Sequence, residues 1–371
     1  MKKILVLLLS VALVAIAGCS HRHSAASVWD SAVNLSDAGH ANCYIVPAAG
    51  LYCFDVTVIG NGQQGIIPGA KFHTENATIA PVSAKVLTND GAVSDVSFDG
   101  SKVYFRAGEA LGNAQIAVYD AFGDVLWSWH IWRTDTPKEI THTNRDKISW
   151  TVLDRNLGAT SADPDNWEGT LGLYYQWGRK DPFTSKQILK KMYVNQEKSL
   201  AYAVKNPTRA FLLVAGKDVY DAFDWYVVSK DETNHHLWGN PDFAFCHPLK
   251  DMVKTIYDPC PAGYLVAPSN TFIDFEVPQK MEFVPGGFFF MADNGQKEFF
   301  PYAGGFYLGM VDRSEPSGPY CSLWNSCSAR FIYWDDGGCR TQVDGTTREA
   351  RLYYGDLRPR CYPVRCVKQA E

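Results

Sequence analysis

Hydrophobic and polar residues alternate along the first part of the chain, between residues 41 and 134. Alternation with a period of two is typical of strands that bury one face. The predicted strands are residues 44–46, 52–58, 82–87, 93–98, 103–106, 114–119 and 125–132, separated by turn sequences. Strands at this spacing, without helices between them, predict a β-sandwich that we place at residues 36–135.

The last of these strands carries bulky side chains on both faces. Trp127, Trp129 and Ile131 share one face, and Ser128, His130 and Trp132 share the other. Because neither face suits contact with water, we expect this strand to lie near the contact between two domains. His130 is interpreted as a packed strand residue rather than a catalyst.

The pattern changes after the last predicted strand. Residues 136–139 form a polar linker, and a second domain is expected at residues 140–371, with a first strand at residues 148–153. Residues 184–215 have the most helical pattern, with apolar residues three and four positions apart. A further short helix is predicted at residues 174–177. The second domain is therefore expected to mix strands and helices.

The N-terminus has the pattern of a secretion signal. Two lysines precede an apolar run at residues 4–16, which is too short to span a bilayer as a stop-transfer helix. The run ends in Ile16-Ala17-Gly18-Cys19, which resembles the bacterial lipobox. We expect residues 1–18 to be a signal peptide, Cys19 to be acylated and residues 19–35 to be a tether. The predicted partner is thus a membrane, reached through the lipid, and the predicted location is the outer membrane, at the cell surface or on its periplasmic face.

Composition narrows the classes of function. The 371 residues carry a net charge of −5 without a long basic run, which argues against nucleic acid as a partner. Aromatic residues make up 13% of the chain, and we expect most of the 11 tryptophans in the core. No nucleophile elbow, His-Glu-x-x-His sequence or glycine-rich phosphate loop occurs. We therefore expect a protein that is not an enzyme and has no cofactor.

The cysteines indicate disulfide formation in an oxidising compartment. Acylation of Cys19 would leave nine of the 10 cysteines, and an odd number leaves at least one thiol unpaired. Cys43 and Cys53 flank a predicted hairpin and are one candidate pair. Cys260 lies in a rigid turn with two prolines, and Cys366 lies near the end of the chain. A Cys260–Cys366 bridge would close a loop of about a hundred residues.

Five runs of residues together resemble the Fibrobacter succinogenes major paralogous domain, which recurs in Bacteroidetes surface lipoproteins and fimbrillin-like proteins. They are Leu126-Trp127-Ser128-Trp129-His130-Ile131-Trp132, Asp154-Arg155-Asn156-Leu157-Gly158-Ala159, Tyr174-Tyr175-Gln176-Trp177-Gly178-Arg179-Lys180-Asp181-Pro182-Phe183, Tyr257-Asp258-Pro259-Cys260-Pro261-Ala262-Gly263-Tyr264 and Val364-Arg365-Cys366-Val367. The resemblance covers residues 140–371. It implies a C-type-lectin-like α+β domain whose terminal strand returns to the sheet, and no settled biochemical activity. The expected fold is mainly β, a β-sandwich followed by this domain.

The sequence departs from the family in two places. Leu265 stands where family members usually have an arginine, and residues 301–307 also lack the arginine of the corresponding family segment. We therefore expect the loop region 301–345 to be remodelled. Its clustered aromatic residues make Trp324, Tyr333 and Trp334 the candidate contacts for a glycan or a surface protein.

Three alternatives remain at this stage. Glu315-Pro316-Ser317, followed by Trp324-Asn325 and Trp334-Asp335-Asp336, faintly resembles the calcium site of C-type lectins. Ser317 replaces an amide ligand, and Trp324-Asn325 corresponds to a structural strand of the family, so no metal is expected. An accessory or tip subunit of a fimbria would bind other protein subunits instead. An enzyme similar to formylglycine-generating enzymes would need paired cysteines, for which Cys361 with Cys366, or Cys321 with Cys327, are the candidates.

Overall fold

The computed structural model describes residues 27–62, 77–212, 224–226, 236–239, 252–307, 310–311, 320–331 and 334–369. The leader, Cys19, Tyr333 and the Glu315-Pro316-Ser317 segment lie outside the described residues. No helix within the described ranges is long and apolar enough to cross a membrane.

The first part of the chain folds into two four-stranded sheets. Its strands are β1 (Val33–Asn34), β2 (Cys43–Val46), β3 (Gly50–Asp55), β4 (Ser83–Asn89), β5 (Val93–Phe98), β6 (Lys102–Ala107), β7 (Gly112–Tyr119) and β8 (Val125–Arg133). One sheet has the order β1-β3-β6-β5 and the other has the order β2-β8-β7-β4. Their facing sides share aromatic contacts, with ring centres 5.1 Å apart for Tyr44 and Phe54 and 5.5 Å apart for Phe54 and Trp129.

The rest of the chain builds four smaller sheets. Its strands are β9 (Glu139–Thr143), β10 (Ser149–Leu153), β11 (Tyr175–Gln176), β12 (Tyr264–Val266), β13 (Met281–Val284), β14 (Gly287–Met291), β15 (Lys297–Pro301), β16 (Phe306–Tyr307), β17 (Met310–Val311), β18 (Tyr320–Phe331), β19 (Trp334–Asp344), β20 (Ala350–Asp356), β21 (Cys361–Tyr362) and β22 (Cys366–Lys368). The sheet orders are β12-β22-β10-β9, β11-β21-β16-β17, β13-β14-β15 and β18-β19-β20. The last strand, β22, lies between β12 and β10.

Helices are few and short. The α-helices are α1 (Trp167–Thr170), α2 (Ser185–Lys190) and α3 (Leu200–Lys205), and the 3-10 helices are Val28–Ser31, Leu35–Ala38, Pro164–Asn166, Ser269–Glu276 and Pro278–Lys280. The predicted mainly β class is therefore confirmed. The finer assignments, a β-sandwich and a C-type-lectin-like domain, stay predictions, as do the domain boundaries.

The helix predicted at residues 174–177 is wrong. Tyr175 and Gln176 form β11, which pairs with β21. The Gln176 amide nitrogen donates to the carbonyl oxygens of Phe211 and Pro359, at 2.7 and 2.8 Å. These long-range contacts decide the local structure, because tertiary pairing overrides a weak helix preference over four residues.

Of the two disulfides considered first, Cys260–Cys366 forms and Cys43–Cys53 does not. Cys260 and Cys366 form the predicted disulfide, so that expectation is confirmed. The Cys43–Cys53 pair is wrong, because both cysteines lack a disulfide. The predicted hairpin does not form: β2 pairs with β8 in one sheet, whereas β3 pairs with β1 and β6 in the other. The two thiols therefore do not lie on paired strands.

One hydrophobic core joins the first part of the chain to the second. It contains Phe54 and Trp129 from the first part, and Trp177, Trp225 and Cys366 from the second. Among the side chains that the structure describes, seven tryptophans are buried, so most of the 11 in the chain lie in the core, as expected.

Candidate functional site

Strand β8 contacts the second part of the chain, as its two bulky faces predicted. The Lys180 ammonium donates to the Ser128 carbonyl at 3.0 Å and to the Ser128 hydroxyl at 2.6 Å, and pairs with Asp181 at 2.6 Å. The Gln115 amide also donates to Asp181, at 3.1 Å. All four residues are buried, so this polar network is enclosed between β7, β8 and the segment that follows β11.

A second network fixes the turn that contains Cys260. The Asn42 amide donates to the carbonyl oxygens of Ile256 and Asp258, at 2.7 and 2.8 Å, while its oxygen accepts from the Trp127 indole at 2.8 Å. The Lys254 ammonium lies 2.7 Å from the Asp258 carboxylate. The two networks join the first part of the chain to the second through buried hydrogen bonds.

A cleft of about 400 Å³ opens in the second part of the chain, beside the linker that follows β8. It is lined by Asp135, Lys138, Ile140, Asp154, Arg155, Thr160, Ser161, Ala162, Asp163, Phe289, Lys297 and Phe299. The end of the first part supplies Asp135, the segment after β10 supplies Asp154 to Asp163, and β14 and β15 supply the aromatic wall. Its volume falls in the range of small-molecule sites.

The floor of the cleft is an ion-paired arginine. Arg155 contacts Asp135 at 2.5 Å and Asp154 at 2.8 Å, and its side chain is only 3% exposed. The hydrogen bond and charge of Arg155 lower the pKa of Asp135, so this carboxylate stays ionised near neutral pH. Arg155 is fully engaged and acts as a fixed part of the cleft.

The opposite wall is aromatic. The rings of Phe289 and Phe299 lie 5.4 Å apart, and the Lys297 ammonium lies 5.7 Å from the Phe289 ring centre and 2.6 Å from Glu282. The residues of the cleft include three cations and three carboxylates, so their charges balance. A balanced polar floor beside an aromatic wall suits a neutral ligand with many hydroxyl groups better than a ligand with a large net charge.

The predicted contact residues do not form one exposed surface. Trp324 is completely buried, and its indole donates to the Tyr175 carbonyl at 2.8 Å, so its assignment as a ligand contact is wrong. The physical reason is that β18 passes through the interior, where Trp324 packs edge-on against Tyr362. Trp334 begins β19 and is paired with Phe331, and Tyr333 lies outside the described residues.

The cysteines that were candidates for a copper site are either bonded in a disulfide or buried. Cys366 is bonded to Cys260, so it is not available to a copper site with Cys361, which is itself buried. Cys321 and Cys327 are buried on β18, and burial raises the pKa of the Cys321 thiol to about 12. Among the described residues, no group of three His, Cys, Asp or Glu side chains has a geometry that would hold a metal ion.

The sequence indicated only the residues at the floor of the cleft. Asp154 and Arg155 belong to a run that the family resemblance had already singled out. Phe289, Lys297 and Phe299 were not identified, because they reach the cleft through strand pairing more than a hundred residues away along the chain.

Comparison with known proteins adds no relative: no family model, no curated protein and no solved structure matches this chain.

Proposed function

We propose that this chain is a lipid-anchored protein of the cell envelope that binds a glycan in the cleft around Arg155. The observation behind this proposal is the cleft itself, with a charge-balanced floor around Arg155 and an aromatic wall at Phe289. Hydroxyl groups of a sugar would hydrogen-bond to Asp163 and Ser161, and an apolar sugar face would lie against Phe289. The lipobox at residues 16–19 and the family resemblance favour the envelope location.

The test is a glycan array with the chain from Ser20 onward, which contains every described residue and lacks the acylated cysteine. The array is run with and without calcium. Phe289→Ala removes the aromatic wall, and we expect it to weaken binding about ten-fold, the size of one lost stacking contact. Phe122→Ala is the matched control, because Phe122 is 94% exposed and does not line the cleft.

Each result of this experiment has a distinct meaning. Binding that Phe289→Ala weakens and Phe122→Ala leaves intact supports the cleft as a glycan site. Binding that vanishes on calcium chelation points instead to the calcium alternative at residues 315–336. Failure to bind any glycan rejects the proposal.

A fimbrial accessory subunit is the second proposal, and one observation favours it. Strand β4 lies at the end of its sheet and pairs only with β7, so one edge of seven residues has no partner strand among the described residues. An open strand edge is a site where another protein strand can add to a sheet. Copurification of pilin subunits with the lipidated protein tests it, and recovery of the protein alone from envelope extracts would reject it.

A further inference from the structure

A basic segment interrupts an otherwise acidic chain. Residues 184–212 contain six lysine and arginine residues and one glutamate, a net charge of +5. Because the whole chain carries −5, the remainder carries −10. Such an asymmetry gives one part of the surface a positive potential, which attracts an anionic partner and orients the molecule towards it.

The fold holds this segment in a defined position. Helix α2 begins with a capping box formed by Thr184 and Gln187, and Ile188 anchors the helix in the interior. The cations of Lys191 and Arg209 each lie 5.0 Å from the centre of the Tyr193 ring. Residues from both ends of the segment therefore meet, and the basic charge is concentrated rather than spread along a loop.

We define the basic surface as Lys186, Lys190, Lys191, Lys198 and Arg209. The four lysines are exposed, and Arg209 is half-buried. Across the described ranges, these five cations form no ion pair with a carboxylate. Among the described residues, Asp90 lies close enough to feel the charge of Lys186, Glu197 lies within the segment, and Asp120 and Asp124 act on Lys205 rather than on the five cations. The five cations therefore keep their charge available for an anionic partner.

Apolar side chains project from the same region. Leu189 is 48% exposed and Val194 is 54% exposed, one on each side of Lys190 and Lys191. Exposed aliphatic side chains between lysines are typical of surfaces that enter the headgroup region of a bilayer. An acidic polysaccharide would use the lysines but would leave these aliphatic groups in water.

We propose that the basic surface, together with Leu189 and Val194, docks this protein on a bilayer through anionic phospholipid headgroups. Lysines contribute the attraction to the headgroups, and the apolar side chains enter the boundary between headgroups and acyl chains. The inference uses the proposed acylation of Cys19 for one purpose: the lipid would hold a bilayer close to the protein. Cys19 precedes Ser27 by eight residues, which reach at most about 28 Å, so an acylated chain would stay close to the surface.

Vesicle cosedimentation tests the proposal with the chain from Ser20 onward, which removes the contribution of the lipid anchor. One set of vesicles contains phosphatidylcholine alone, and the other also contains phosphatidylglycerol. We expect binding only to the anionic vesicles, with an affinity that falls as salt rises. The double variant Lys190→Glu/Lys191→Glu should reduce the partition coefficient at least about ten-fold.

Two further variants separate charge from apolar contact. Leu189→Ser should weaken binding several-fold while leaving its salt dependence unchanged, because Leu189 is exposed beside Lys190 and no charge is altered. Phe289→Ala, in the cleft, is the matched control and should bind vesicles like the wild type. Circular dichroism of each variant excludes loss of the fold as the cause.

Three outcomes would overturn the proposal. They are no binding to anionic vesicles at low salt, binding that Lys190→Glu/Lys191→Glu leaves unchanged, and retention by an acidic polysaccharide without vesicle binding. The last outcome would identify a polysaccharide partner instead. Failure here is distinguishable from failure of the glycan site, because that site is tested on a different face with Phe289→Ala.

Discussion

At the scale of single residues, a mutation in the buried ion pair of Lys180 and Asp181 is expected to lower the free energy of unfolding strongly. Burial lowers the pKa of Lys180, and the charge of Asp181 opposes that effect. Asp181→Asn leaves the ammonium buried without its counter-charge, which costs about 3–5 kcal/mol. We expect the free energy of unfolding, measured by urea denaturation, to fall by that amount.

The control for this prediction is an ion pair on the surface. Arg106 and Asp95 lie 2.9 Å apart, with side chains 48% and 59% exposed. Because solvent screens such a pair, Arg106→Gln should leave the urea midpoint almost unchanged. Equal effects of Asp181→Asn and Arg106→Gln would contradict the interpretation that burial makes the first pair important.

Glu298 gives the protein a predicted pH dependence of stability. Burial raises the pKa of Glu298 to about 8, against the attraction of Arg365, which lies 2.7 Å away. In the unfolded chain the pKa of a glutamate is about 4.3. Between these two values the folded state holds a proton that the unfolded state has lost, so stability falls as pH rises through this window.

Glu298→Gln removes the titrating group. We expect the melting temperature of the wild type to decrease relative to that of the variant as pH rises from about 5 to about 9. Glu276→Gln is the control, because Glu276 is 41% exposed in its pair with Arg145. Parallel pH profiles for the wild type and Glu298→Gln would show that Glu298 does not titrate in this range.

At the scale of elements, local patterns predicted most of the strands in the first part of the chain. The expected strand at residues 93–98 coincides with β5, and the one at 125–132 differs from β8 by one residue. The strand at 125–132 was found from its run of bulky residues, and both of its faces are buried. The hairpin expected between Cys43 and Cys53 does not form, because the two successive strands join different sheets. Local alternation does not indicate which sheet a strand joins.

The same distinction explains the functional residues. Trp324 was expected at a surface because aromatic residues cluster near it in the sequence, yet β18 buries it. The aromatic wall of the cleft was missed because its position depends on the register of β14 and β15. Sequence periodicity indicates which face of a strand is apolar, but not which other element covers that face.

The disulfide is an element-scale constraint with a measurable effect. It joins Cys260, in the turn before β12, to Cys366 of β22, across 106 positions. A loop of this length stabilises the folded state by about 4–5 kcal/mol through the entropy of the unfolded chain. We expect Cys260→Ala/Cys366→Ala to lower the free energy of unfolding by about that amount.

Reduction provides the matched comparison. The wild type unfolded in the presence of a thiol reductant should approach the stability of the double variant, and the variant should not respond to the reductant. Cys53→Ala is a control, because Cys53 is buried without a disulfide. A reductant effect that persists in Cys260→Ala/Cys366→Ala would show that another bridge carries the stabilisation.

At the scale of the whole molecule, the shared core predicts that the two parts unfold together. The Trp132 indole donates to the Ala159 carbonyl at 2.9 Å, and Ser128, Lys180 and Asp181 bond across the same junction. Separating the parts would expose apolar surface and leave buried charges without partners, so a state with only one part folded is unfavourable. Tryptophan fluorescence and far-ultraviolet circular dichroism should therefore report one coincident urea transition, which Asp181→Asn shifts as a unit. Two separate transitions would instead show that the parts are independent domains.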